Sequence, residues 1–152
     1  MSLVVFILAV TLVASSGAVF KPGAWYRTLA KPSWTPPDWV FPTGWTLLYV
    51  LIAIAGWRVW ERLPLEAALL PMAVYALQLG LNAGWSAVFF GLKRPDWAFA
   101  ELACLWLAIV ANILVFHPVD PLSAWLLLPY LAWVTFAGAL NLAVWRLNPG
   151  FP

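Results

Sequence analysis

Charge is what this sequence has least of: only 9% of its 152 residues are Asp, Glu, Lys or Arg. Soluble domains carry about a quarter, so a chain that is also 64% apolar falls outside that class and has the composition of a membrane protein. Its basic residues are few and dispersed, with a formal charge of +2, which excludes nucleic acid as a partner because that needs clustered cations. Cysteine is nearly absent. Cys104 stands alone in an apolar run, so neither an intrachain disulfide nor a cysteine metal cluster is possible. The single histidine, His117, precedes Pro118 at the end of an apolar stretch, where an ordinary loop-end role competes with a ligand or proton role. Metal sites need several such residues together, so no metal is expected. Also lacking are a Ser/His/Asp or Cys/His set, a glycine-rich phosphate loop and a file of charges across the membrane.

Aromatic rings and proline are abundant, with 12 Trp and 13 Pro. They concentrate in KPSWTPPDWVFPTGW, Lys31 to Trp45, which holds four prolines and three tryptophans between two apolar runs. Proline removes donors and biases the residue before it towards extended backbone, so this segment is a stiff aromatic lid rather than a flexible connector. Trp25 and Tyr26, just before it, fit a short helix at the membrane interface.

The apolar runs predict an all-α membrane protein, a five-transmembrane-helix bundle in one domain spanning residues 1–152, with the lid between helices one and two. Each run approaches the roughly 20 residues needed to span a hydrocarbon core: about 2–20, 42–60, 67–90, 97–116 and 121–147. The first competes with a cleaved signal peptide, given Ala14, Ser16 and Gly17 near a possible cut, but no Lys or Arg precedes it. Pro42 suits the first turn of the second helix, and Trp57, Arg58 and Trp60 mark its far interface. Pro71 is placed near the start of the third. Asp96 and Asp120 are expected as N-caps of the fourth and fifth, and Pro129 as a kink within the fifth. Lys21, Arg27, Lys31, Lys93, Arg94 and Arg146 fall on the lid side and only Arg58 and Arg62 on the other. That bias predicts a cytoplasmic lid and C-terminus with the N-terminus outside.

Polar groups within the spans are the candidate site. Gln78 and Asn82 share a helical face with Trp85 and Phe89, either lining a pocket or bonding neighbouring helices. Ala76, Gly80 and Gly84 form a small-xxx-small ladder on the opposite face, suited to a second protomer or to packing within one chain. Glu101 is expected to pair with Lys93 or Arg94. Asn112 and Asn141 read as ordinary helix contacts. The inventory suits a flat hydrophobic ligand held by stacking and a few hydrogen bonds.

Three stretches, KPSWTPPDWVFPTGWTLLY, QLGLNAGWSAVFFG and PYLAWVTFAGALN, resemble the TspO/MBR family of bacterial tryptophan-rich sensory proteins and mitochondrial translocator proteins. The resemblance covers nearly the whole chain. It implies a bundle that is usually a homodimer, set among membrane lipid in a bacterial cell membrane, with a pocket under the lid for porphyrins such as protoporphyrin IX and haem. In the animal branch it further implies cholesterol, and more widely synthetic isoquinoline and benzodiazepine ligands. By motif it assigns Tyr26, Trp45, Tyr49, Asn82, Trp85, Phe89, Trp97, Trp133, Ala137 and Leu140 to that pocket. At Ala137 a larger side chain is expected to tilt helix five. Leu142 stands where the animal proteins' cholesterol motif has a Tyr before the basic residue, here Arg146, which weakens a sterol reading.

The leading expectation is a receptor or sensor with porphyrin or haem as ligand and no required cofactor. An enzyme alternative, also suggested by the resemblance, is light- and oxygen-dependent porphyrin breakdown, with Trp45 and Trp133 as electron donors and no conventional catalytic set. Transport of the tetrapyrrole or a sterol is the third, and no inverted repeat supports it.

Overall fold

A computed structural model describes residues 2–150. Helix α1 (Leu3–Val19) leads to a short α2 (Ala24–Thr28), then the proline-rich segment, α3 (Val40–Arg62), α4 (Leu65–Ser86), α5 (Pro95–Phe116), α6 (Pro121–Leu126) and α7 (Leu128–Leu147). No strand occurs among the described residues. Four helical stretches are long and apolar enough to cross a membrane: α3, α4 with its extension to Gly91, α5, and α6 with α7. The 17-residue α1 is shorter. The helices close a ring in which α3 packs on α1, α1 on α4, α4 on α5, α5 on α7, and α6 back on α3.

The burial pattern is that of a bundle whose solvent is lipid. Ile52, Val59, Ile109, Phe116, Tyr130 and Val134 are sealed inside, while Leu12 and Leu69 are 74% and 77% exposed on the outer wall. Apolar side chains facing outward in such numbers would be an aggregating surface in water and are an ordinary one in hydrocarbon.

Proline punctuates the helices where a missing donor costs little. Pro95, Pro121 and Pro129 all lie at the first or second position of a helix. The fifth run, residues 121–147, is interrupted just before Pro129, where a kink is expected: Leu127 alone separates α6 from α7, and Pro129 falls in the first turn of α7. Pro71 lies within α4 towards its start, as expected, and is buried. The third run also departs from a single α-helix, since Ala87–Gly91 forms a π-helical turn closed by Leu92 N–H donating to the Ala87 carbonyl at 2.9 Å. Lys93 then turns the chain with φ 56.

Both expected acidic N-caps act differently. Arg94 occupies the cap position of α5, and Asp96 in the first turn receives its guanidinium at 2.6 and 2.8 Å. Asp120 does sit at the N-cap of α6, yet its side chain makes no cap bond. It is nearly buried and takes Arg58 from the end of α3 at 2.8 and 3.2 Å, together with the Ser123 hydroxyl. Arg58 holds this carboxyl below the usual carboxylate range, with Ser123 adding to the effect. Glu101 pairs with neither Lys93 nor Arg94. Arg94 is taken by Asp96, and both Glu101 carboxylate oxygens are buried without a hydrogen-bond partner, beside Gly84 of α4.

Candidate functional site

Helical spacing and proline placement aim a set of rings at the space beneath the segment 31–39. Gly44, one turn into α3, is bare where Trp133 of α7 crosses: a Cβ there would lie 2.8 Å from the Trp133 ring. This close approach puts Trp133 against Trp45, centroids 6.2 Å apart and edge-on, while Trp45 stacks on Tyr49 at 5.5 Å and meets Tyr130 at 6.2 Å. Phe41 edges onto Trp133 at 6.1 Å, and Trp34 reaches from the loop to Phe136 at 5.9 Å. The loop is a lid in geometry as well as composition, tied internally by Thr35, whose N–H and hydroxyl both donate to the Pro32 carbonyl.

A hydrogen-bond chain runs inward from these rings. Tyr49 donates to Asn82 Oδ1 at 2.8 Å, Asn82 Nδ2 donates to the Tyr130 hydroxyl at 2.7 Å, and Tyr130 donates to Gln78 Oε1 at 3.0 Å. It links α3, α4 and α7 through the bundle centre, where unpaired polar groups are costly. Gln78 and Asn82 thus do share a face, and in this structure they bond neighbouring helices.

A second cluster lies beside the first. Trp85 stacks on Phe89 at 5.0 Å, and Tyr26 meets Phe89 and Phe90 edge-on at 6.2 and 5.5 Å. Leu140 is buried there with Leu29, Ala98 and Val144. The π-helical turn carries Phe89 and Phe90 in adjacent positions against the same tyrosine, the kind of local widening often found at functional sites. Trp85 joins the two clusters: it packs against both and donates to Asn141 Oδ1 at 3.1 Å, while Asn141 Nδ2 donates to the Pro95 carbonyl at 2.8 Å. Burial, and secondarily the charge of Asp38, push the Tyr26 phenol up, so it is a neutral hydroxyl at ordinary pH.

Of the residues singled out in the sequence, Trp45, Tyr49, Asn82, Trp133 and Ala137 meet around the first cluster and Tyr26, Trp85, Phe89 and Leu140 around the second. Trp97 joins neither. It is 56% exposed, with the Arg94 guanidinium 4.4 Å above its ring. The small-residue ladder divides: Gly84 faces Glu101 of the same chain, whereas Ala76 is exposed and a Cβ on Gly80 would touch nothing. Tyr130, Phe41 and Phe136 were not singled out. Tyr130 was within reach, since it stands one helical turn before Trp133 in the stripe that continues to Ala137 and Leu140.

The rings fill the space beneath the lid by packing on one another. A cavity of about 340 Å3 lies instead between α1 and α3, with Tyr49 among its lining residues. No group of three or more His, Cys, Asp or Glu side chains converges among the described residues. The site therefore offers stacking faces, indole and phenol donors and carboxamides.

Residues 3–146 match the model of the TspO/MBR family. The chain is 46% identical to Protein CrtK of Rhodobacter capsulatus over 96% of its own length and 92% of that protein's. It is 43% identical to the tryptophan-rich sensory protein of Cereibacter sphaeroides, over 94% and 89%. With the human translocator protein it shares 40%, over 96% and 89%. The chain belongs to the TspO/MBR family and is an integral, multi-pass membrane protein.

Proposed function

We propose that this protein is a membrane receptor of the sensory type that binds porphyrins, protoporphyrin IX or haem, among the rings beneath the lid. The observation that carries the reading is the packing of Trp45 against Tyr49, Tyr130 and Trp133, with both tyrosine hydroxyls bonded to the Asn82 carboxamide, under a tryptophan-bearing lid. A flat macrocycle is recognised by such faces and by few directed bonds. Because the rings touch one another, the ligand enters by separating Trp45 from Trp133. Its carboxylates then lie towards the lid-side cations, of which Arg27 and Arg146 are exposed. The names borne by the relatives, sensory protein and translocator protein, support a receptor role.

In the membrane α1 completes five spans, its 17 residues standing at the short end of the spanning range. The excess of basic residues places the lid and the C-terminus on the cytoplasmic side of a bacterial membrane. The open Ala76 and Gly80 face of α4 serves a homodimer.

Tryptophan quenching by protoporphyrin IX in detergent, in the dark, tests the reading. Saturable quenching that weakens in Asn82→Ala and Trp133→Phe is expected; quenching that never saturates and ignores both substitutions overturns it. Ala137→Thr, placing a branched side chain on the ligand-facing side of α7, is expected to weaken binding as well, and unchanged affinity counts against the site.

The Trp45–Trp133 and Trp45–Tyr49 contacts also favour a second reading, light- and oxygen-dependent porphyrin breakdown, in which the excited porphyrin is the oxidant and the tryptophans give up electrons. Trp45→Phe would then abolish light-driven bleaching while dark binding persists; equal bleaching in both proteins excludes it.

A further inference from the structure

The root of the lid is held by one side chain at the far end of the sequence. Asn148, the residue that ends α7, is buried, and its carboxamide binds both backbone groups of Ala30. Oδ1 accepts the Ala30 N–H at 2.9 Å, and Nδ2 donates to the Ala30 carbonyl at 2.9 Å and to the Val144 carbonyl at 2.7 Å. This two-way pairing is what a neighbouring strand would give residue 30, supplied here by an amide side chain. On either side the root is pinned again. Leu29 is buried with Phe89, Leu140 and Val144. Lys31 sends its ammonium to the carbonyls of Tyr26 at 2.7 Å and Leu29 at 3.2 Å, 4.4 Å above the Tyr26 ring.

Asn148 also lies within about 60° of Trp133, Ala137 and Val144 round α7, successive separations being 4, 7 and 4 residues. Midway along the same helix, the lid rests on Phe136 through Trp34. One helix therefore presents the site's central ring and grips the lid root.

We propose that Asn148 is the positioning residue of the lid: its carboxamide fixes residues 29–31 to the end of α7, so that the lid swings about this point and its opening rate is set there. The inference rests on the reading that the ligand sits beneath the lid. It requires a side chain that is donor and acceptor at once, which aspartate and leucine of similar shape are not. It further implies that displacement of α7 by a ligand at Trp133 is passed to the lid.

The test uses the full-length protein in detergent with Ser33→Cys carrying a nitroxide, in a Cys104→Ser background because Cys104 is exposed. Asn148→Leu removes the whole pairing. Ala30→Pro removes the Ala30 donor and sets a ring carbon where Asn148 Oδ1 lies, so it expels the carboxamide from residue 30 while keeping every residue of α7; it suits the extended Leu29 before it (φ −69, ψ 140) and serves if the first variant folds poorly. The open-lid fraction read from the spin label should rise roughly tenfold in Asn148→Leu and by a similar factor in Ala30→Pro, with the double variant no looser than either. Protoporphyrin association and dissociation should both accelerate, with affinity moving less than either rate. An unchanged spin-label spectrum in both single variants overturns the proposal without reference to any ligand. A loosened lid with unchanged porphyrin kinetics overturns the gating role and counts against binding beneath the lid.

Discussion

Gly44 and Tyr130 govern the site more tightly than the residues that look like ligands. A methyl group on Gly44 would stand 2.8 Å from the Trp133 ring, a separation that real Cβ atoms do not show. Gly44→Ala must push Trp133 off α3, and overpacking of this kind costs about 1–3 kcal/mol. A lowered unfolding midpoint and weaker porphyrin quenching are expected. Gly80→Ala, whose new methyl meets nothing within the protomer, should leave porphyrin quenching unchanged. Tyr130→Phe removes the hydroxyl that both receives Asn82 and donates to Gln78. Interhelical bonds in bilayers average roughly 0.6 kcal/mol each, so the loss should be about 1–2 kcal/mol in detergent unfolding, and Tyr49→Phe, which breaks one bond, should lose about half of that. The face shared by Gln78, Asn82, Trp85 and Phe89 was legible in the sequence because four-residue spacing is local information. Tyr130 as the common partner of Gln78 and Asn82 was not, because its place beside them depends on how α7 crosses α4. Asn148 was hidden for the same reason, its partner being a backbone 118 residues away.

The spans themselves are written in the apolar runs, and their boundaries lie close to where those runs end. What the runs do not encode is how an end is finished. Asp96 and Asp120 have the composition of N-caps, but each stands near an arginine, and a bidentate charged pair outcompetes a single bond to a backbone amide. The π-helical turn likewise leaves no periodic trace, since it widens the helix within an otherwise apolar stretch, whereas the break at Leu127 was announced by Pro129. The Arg58–Asp120 clasp between α3 and α6 gives an element-scale prediction. Because Arg58 depresses the Asp120 pKa from its ordinary 3.8, the stabilisation is complete above that value and disappears as pH falls through the lower folded-state value. Thermal unfolding of the wild type should lose this contribution on acidification below about 4. In Asp120→Asn it should be absent at every pH, so the two curves converge in acid; curves that stay parallel would show that the clasp contributes nothing.

At the scale of the molecule, the small-residue ladder divides between one neighbour within the chain and an open face. Its Gly84 end is occupied by α5, and its Ala76 and Gly80 end is open to whatever lies beside α4. Gly80→Cys in a Cys104→Ser background should give a disulfide-linked pair under mild oxidation in native membranes, whereas a cysteine at Leu107, on the outer wall of α5, should not. Equal crosslinking at both positions would mean random collision. Topology follows from charge: a tag after the last residue should be reached by a membrane-impermeant reagent only once the cytoplasmic face is opened.

The unpartnered carboxylate of Glu101 bears on how the chain enters the membrane. An acidic side chain in a lone apolar helix raises the cost of insertion, by up to about 3 kcal/mol at a helix centre. Glu101 is shielded by α4, the helix synthesised immediately before its own and joined to it through residues 92–94. Beside Gly84 there is no side chain to keep the two helices apart. A hairpin that docks before it partitions presents the bilayer with a masked acid, so bulk at position 84 is expected to lower the yield of inserted protein before it alters binding.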